Sequence, residues 1–177
     1  MTHHGYDEIP PFPASYTAGT VLGRLMDGVG FRYRWATDGL SDQDLDYKPG
    51  ESCRSIGETV NHVHSLAVMI ENAFTGERYD MSAPDSTLSF DDTRAATLAK
   101  IVQISDRLKA APDAVFDEMP LKFKMGEDEP EFPFWNAING PIVDMAYHVG
   151  QIVSSRRAAG NPIDPAVQVF LGKRFEQ

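Results

Sequence analysis

The residues best suited to chemistry in this chain are Asp144 and His148, four apart in a segment that reads as helix. On a helix that spacing stacks two side chains on one face, with β-carbons about 5–6 Å apart. A carboxylate and an imidazole so placed both reach one divalent ion, and both are good ligands for first-row metals. The same pair also reads as a plain intrahelical hydrogen bond at the surface. Further imidazoles stand at His62 and His64. Two residues on a helix are separated by about 200° of rotation, so only one of them can face a given site. His62 shares its face with Thr59, Leu66 and Met69, at the border of an apolar stripe, and is the one directed inwards. His64 lies towards Asn61, Val68 and Glu71 and reads as surface.

Four helices must position these groups. From Tyr16 to about Asp38 there is no proline, and Val21, Leu22, Leu25, Val29, Tyr33 and Ala36 recur at helical spacing, predicting a first helix and its inner face. A loop with a short helical turn at Ser41–Leu45 follows. Ser55 and Glu58 have the form of a capping box that starts a second helix, with Ile56, Val60, Val63, Ala67, Ile70 and Phe74 as its stripe and Gly76 as its stop. Residues 77–88 read as a polar connection long enough for the next helix to cross an end of a bundle. A third helix runs from Phe90 to Ala111, with Ala95, Leu98, Ile101, Val102, Ser105 and Leu108 inwards, and Pro112 ends it. Residues 113–135 hold three prolines and an acidic cluster, and read as a small hairpin or an irregular loop. A fourth helix has begun by Pro141, whose fixed φ suits a first helical position, and runs to Ala159. Residues 166–175 read as a short helix or a docked strand. The fold class is all-α: one four-helix-bundle domain over 1–177, with long crossover connections, an extended lead-in at 1–15 and a tail at 163–177.

Two segments carry a family likeness. Ser55-Ile56-Gly57-Glu58-Thr59-Val60-Asn61-His62 resembles the SxGE-x-x-x-H start of the second helix in the DinB/YfiT-like superfamily. Asp144-Met145-Ala146-Tyr147-His148-Val149-Gly150-Gln151 resembles that superfamily's HxxxHxGQ segment on the last bundle helix, followed here by Arg156, Arg157 and Gly160-Asn161-Pro162. The likeness spans about residues 16–162. It implies a four-helix bundle, usually a homodimer, with a divalent metal held by three side chains of the second and last helices. Carried over position by position, the ligands are His62, Asp144 and His148. Asp144 stands where histidine is commoner, which leaves the metal open among zinc and nickel first, then manganese and iron. Two neutral imidazoles and one carboxylate leave a divalent ion at a net charge of about +1, able to polarise a bound water or lower a bound thiol's pKa. Some members resemble thiol-dependent transferases and isomerases. The resemblance therefore implies a metal-dependent transferase or hydrolase acting on a small molecule, with a low-molecular-weight thiol among its cofactors. The alternative is a non-catalytic dimeric bundle, a binding or stress-response module whose Asp144–His148 pair is structural.

Other residues carry weaker signals. Gln151, Tyr147 and Ser55 are candidates to support the ligands from behind. Cys53 precedes a helix start, where its thiol pKa would fall, but reads first as an ordinary loop residue. Arg156 and Arg157 either attract an anionic substrate or simply favour a helix C-terminus. Trp35, Trp135 and Phe132–Phe134 read as core, and His3-His4 as a disordered pair. Gly28-Val29-Gly30 follows no strand and is no nucleotide loop.

With 16 Lys and Arg against 26 Asp and Glu, the formal net charge is −10, which argues against nucleic acid and anionic membrane surfaces as partners. No apolar run is long enough to span a bilayer and the N-terminus lacks a secretory pattern, so a cytoplasmic address is expected. The lone Cys53 makes no internal disulfide. Most acids fall in loops and on solvated faces. Asp144 is the exception, an acid on a helix that otherwise turns apolar residues inwards, where a counter-cation would offset its burial.

Overall fold

The structure is a computed structural model that describes residues 5–175. In chain order the elements are α1 (Ala18–Ala36), the short α2 (Asp42–Asp46), α3 (Ile56–Thr75), β1 (Arg78–Asp80), α4 (Phe90–Ala110), a 3-10 turn (Asp113–Glu118), β2 (Leu121–Lys124), β3 (Glu131–Phe132), a single turn α5 (Trp135–Ala137), a π turn (Ile138–Ile142), α6 (Val143–Ala158), β4 (Val167–Gln168) and β5 (Lys173–Arg174). Each long helix before α6 opens on a hydroxyl cap: Thr17 for α1, Ser55 for α3 and Ser89 for α4. The Ser55–Glu58 box is reciprocal, with Glu58 N–H donating to Ser55 Oγ at 3.1 Å and Ser55 N–H donating to Glu58 Oε2 at 2.6 Å. Gly76 ends α3 in the left-handed region, at φ +75°, which a side chain would oppose.

The four long helices make the expected bundle. α1 packs along α4, α4 against α3, α3 against α6, and α6 back against α1. Successive helices α1 and α3 therefore stand on one diagonal, and α4 and α6 on the other. The crossovers this requires are residues 37–55 and 111–142. The 76–89 connection, expected to cross an end of the bundle, instead joins the neighbours α3 and α4, and it contains β1, a strand too short and polar to leave a pattern. β1 pairs in parallel with β2, and β2 antiparallel with β3, so the hairpin alternative for residues 113–135 is the one realised. The tail likewise forms the β4–β5 hairpin rather than a helix.

The inner face of α1 differs from its apolar stripe. Val21 and Leu25 are 51 % and 41 % exposed, while Gly19, Gly23, Met26, Asp27 and Gly30 are buried. The reason is close approach: a Cβ on Gly19 would lie 2.2 Å from the Leu108 carbonyl oxygen of α4, and one on Gly23 would lie 2.9 Å from that of Ser105. On α4 the same seam brings Thr93 and Thr97 inwards and leaves Ala95 exposed. The lead-in is extended from Ile9 onwards, but Tyr6 is buried at φ +71°. Its ring fills the space a side chain at Gly30 would need, with a Cβ there 2.2 Å from Cε2, and its hydroxyl donates to Asp27 Oδ1 at 3.1 Å. Ile9 N–H then donates to Gly172 O at 2.9 Å, tying the lead-in to the β4–β5 hairpin. α6 begins at Val143, later than Pro141, because Gly140 breaks the helix with φ −96° and ψ −112° and Pro141 has no amide to mend it.

These contacts set opposite expectations for two glycines of one helix. Gly19→Ala must push α4 backbone away and is expected to destabilise by about 1–3 kcal/mol. Gly28 faces only the tip of Arg32, 3.4 Å from a built Cβ. Gly28→Ala is expected to stabilise by about 0.5–1 kcal/mol through the unfolded-state entropy of glycine. Urea unfolding of the two variants checks both signs; a neutral Gly19→Ala would contradict the close α1–α4 seam.

Candidate metal centre

α3 and α6 run side by side, and their facing turns bring His62, Asp144 and His148 together. His62 Nε2 lies 3.8 Å from Asp144 Oδ2, and His148 Nε2 lies 3.4 Å from Asp144 Oδ1. The two imidazoles stand at 90° with centroids 4.7 Å apart. One ligand atom from each of the three residues lies within 4.8 Å of the others. Tetrahedral arms of about 2.1 Å space ligand atoms about 3.4 Å apart, so the donor set and its spacing fit a divalent ion with little movement. The cluster is open on one side: the Asp144 side chain is 42 % exposed, against 16 % for His62 and 7 % for His148.

What stands behind the histidines sharpens this geometry. His148 Nδ1 is 2.7 Å from Gln151 Oε1. An amide oxygen only accepts, so the Nδ1–H donates, and in the neutral imidazole this tautomer leaves the lone pair on Nε2, which faces the cluster. Gln151 is thus the supporting partner among the three candidates, one turn along the same helix. Ser55 is taken up by its cap, and Tyr147 presents a largely exposed ring whose centroid is 5.3 Å from that of His148. His62 Nδ1 is buried with no hydrogen-bond partner among the described residues, and an opposite charge, Asp85 Oδ2, lies 3.5 Å away. Asp85 is the residue the sequence did not disclose. It lies in the irregular 76–89 connection, where Ser65 Oγ donates to its carbonyl at 2.7 Å, and no spacing relates it to α6.

Several sequence expectations change. His64 is not surface: half-buried between α3 and α4, its Nδ1 is 2.9 Å from Thr97 Oγ1, which itself donates to Thr93 O. The acids that are buried are Asp27 and Asp44, not the half-exposed Asp144. Asp27 is 1 % exposed, meets Lys109 Nζ at 2.7 Å and accepts from Ser105 Oγ at 2.6 Å. Arg156 is not a free cation at the surface; it is buried against the end of α1, donating to Trp35 O and Ala36 O at 3.1 and 3.0 Å. Phe134 is core, but Trp135 is 73 % exposed and Phe132 also reaches solvent. Cys53 is exposed, and His3-His4 lie outside the described residues.

Among solved structures, the chain is similar to YfiT from Bacillus subtilis, described as a probable metal-dependent hydrolase with an unusual four-helix bundle topology. The TM-score is 0.55 at 16 % identity, over 86 % of this chain and 94 % of that one. At this identity the likeness is one of fold, and it bears out the four-helix bundle expected from the sequence. No protein-family model and no curated protein matches the chain in sequence. Among the described residues no helix is long and apolar enough to cross a membrane.

Burial holds both α3 imidazoles below the ordinary histidine value, reinforced by the positive charge of Arg54 for His62 and of Lys100 for His64. The folded state therefore favours neutral histidines, whereas the unfolded chain takes up protons as pH falls through about 6.5. This contribution to stability is complete above that pH and is lost below it. The urea midpoint of metal-free protein is expected to fall between pH 7.5 and 5.5, and to fall less steeply in His64→Gln. An unchanged midpoint across that range would contradict the burial of these rings.

Proposed function

We propose that the protein is a divalent-metal-dependent hydrolase of a small molecule, with His62, Asp144 and His148 as its metal ligands. The observation that carries this reading is the convergence of the three side chains from two helices, with the Nε2 lone pair of His148 aimed at the shared point by Gln151. A divalent ion held there supplies a Lewis acid for a substrate carbonyl and lowers the pKa of a bound water. The donor set of two imidazoles and a carboxylate suits zinc, nickel, manganese and iron alike. The fold of YfiT, and what that protein is described as doing, favour hydrolysis over the transferase alternative.

The chain's own residues divide the remaining work. Asp144 contributes the anionic ligand and, being half-exposed, leaves an approach for substrate and solvent. Asp85 places a second carboxylate behind His62, where it favours a proton on Nδ1 and hence a free Nε2. A purely structural Asp144–His148 pair explains less. Their closest approach of 3.4 Å is between ion-pair atoms of neighbouring turns, and such a pair gives no reason for His62 to face the same carboxylate.

Elemental analysis after incubation with zinc, nickel, manganese or iron tests the reading. Wild type is expected to retain about one equivalent of at least one metal, and His62→Ala and His148→Ala to lose it. Gln151→Ala is expected to bind about 10–100-fold more weakly, as for other partners behind a ligating histidine. Hydrolysis of a panel of small esters and amides should appear only in the loaded protein and vanish with chelator. Equal, negligible metal in wild type and His148→Ala would overturn the proposal.

A further inference from the structure

Alongside α6 the loop from Pro49 to Arg54 leaves a groove of about 1200 Å³. It follows α6 from Tyr147, beside the ligand His148, towards Ala158, a rise of about 16 Å at 1.5 Å per residue. Its other wall includes Thr59, one turn before His62, and its rim includes Gln151. His62, Asp144 and His148 do not themselves line it; the groove reaches the candidate metal centre through Tyr147 and Gln151, the neighbours of His148.

The charge of this groove runs against the composition of the chain. Among the described residues no acid lines it, although the chain has 26, and its one cationic side chain is Arg54. Arg34, Arg78, Arg94 and Arg174 each face a carboxylate. Arg54 is exposed and, among the described residues, makes no ion pair. It is close enough for its charge to act on His62. A guanidinium presents a planar fork of donors that matches a carboxylate with two parallel hydrogen bonds. An unpaired fork in an acid-free groove is a site for an anion that must outcompete the negative field of the rest of the molecule.

We infer that this groove binds the substrate through a carboxylate held by Arg54, so that the substrate class of the candidate centre is small carboxylic acids and their derivatives. The inference rests on the metal-site reading for the location of the reacting group, but not for the anion site itself. In metal-free protein no ion competes for the anion, so that form isolates Arg54.

The probes are butyrate and benzoate against butyramide and benzamide, which differ in charge but hardly in shape, with binding followed by amide chemical shifts. Metal-free wild type is expected to bind each carboxylate at least tenfold more tightly than its amide, with the largest shifts at Arg54, Thr59 and Gln151. Arg54→Gln is expected to abolish that preference and Arg54→Lys to retain part of it. Zinc should still bind to all three proteins, as measured by chelator competition. Absence of a preference in wild type, or its survival in Arg54→Gln, overturns the inference. A groove closed by a second copy of the chain would give a dimer by sedimentation and no carboxylate preference, which also overturns it. A carboxylate preference without zinc binding would instead sink the metal reading and leave the anion site standing.

Discussion

A buried guanidinium holds the relative position of the helices on which the site depends. Arg156 of α6 is 3 % exposed, and burial lowers its pKa, yet an arginine side chain stays charged. Its donors are met by Trp35 O and Ala36 O at the end of α1, and by Asn161 O and Oδ1 at 2.7 and 3.0 Å. Asn161 passes the contact on, donating to Asp44 Oδ2 at 2.9 Å and to Gly39 O at 3.0 Å. One cation therefore gathers the C-terminal carbonyls of α1, the start of α2 and the end of α6. Leaving such a charge without its partners costs about 3–5 kcal/mol. A slide of α6 by one residue would move it 1.5 Å and rotate it 100°, enough to carry His148 away from His62. Fixing the axial position of α6 is thus a condition for the cluster.

α3 is placed by a separate set of contacts, and α4 is the common reference. On one side α4 receives the glycine face of α1, where helix backbones nearly touch, and Arg94 of α4 reaches back to Thr37 Oγ1 and Arg34 O at 2.9 and 3.2 Å. On the other side His64 meets Thr97, and Lys100 pairs with Glu71. Two arginines from different helices therefore share the last carbonyls of α1, while polar ties across α3 and α4 set the height of His62. Directional polar contacts serve this purpose better than apolar packing, which tolerates small slides between smooth helix faces.

The parts of this arrangement that the sequence disclosed are those written in spacing. A hydroxyl three residues before a glutamate marked the start of α3, and a carboxylate four residues before an imidazole marked one face of α6. Rotation about α3 separated His62 from His64 correctly as to which meets α6. It failed on the surroundings of His64 because a second helix covers the opposite face, and rotation about one axis does not count neighbours. The inner face of α1 was misplaced for a related reason: glycines carry no apolar signal, yet the seam with α4 is built on their lack of a side chain. Asp85, Asp27 and the reach of Arg156 escaped because each depends on contacts between segments far apart in sequence. Irregular chain supplies Asp85, so no periodicity exists to be read.

A cation at the proposed metal site has a different physical basis in the structure. From sequence it lay in the burial of Asp144, but that carboxylate is half-exposed and water can solvate it. The requirement arises from the histidines instead. With the Nδ1 proton of His148 engaged by Gln151, the neutral ring would present its Nε2 lone pair to Asp144 Oδ1 at 3.4 Å, and a lone pair facing a carboxylate oxygen is repulsive. Burial favours the neutral form of His62, and its Nε2 faces the other oxygen of the same carboxylate at 3.8 Å. A proton on one ring relieves one of these contacts, whereas a divalent ion at the centre relieves both and leaves the outer side of Asp144 in solvent. What would select a metal here is the aim of two imidazoles at one carboxylate, a property of how α3 and α6 are held rather than of any one residue's burial.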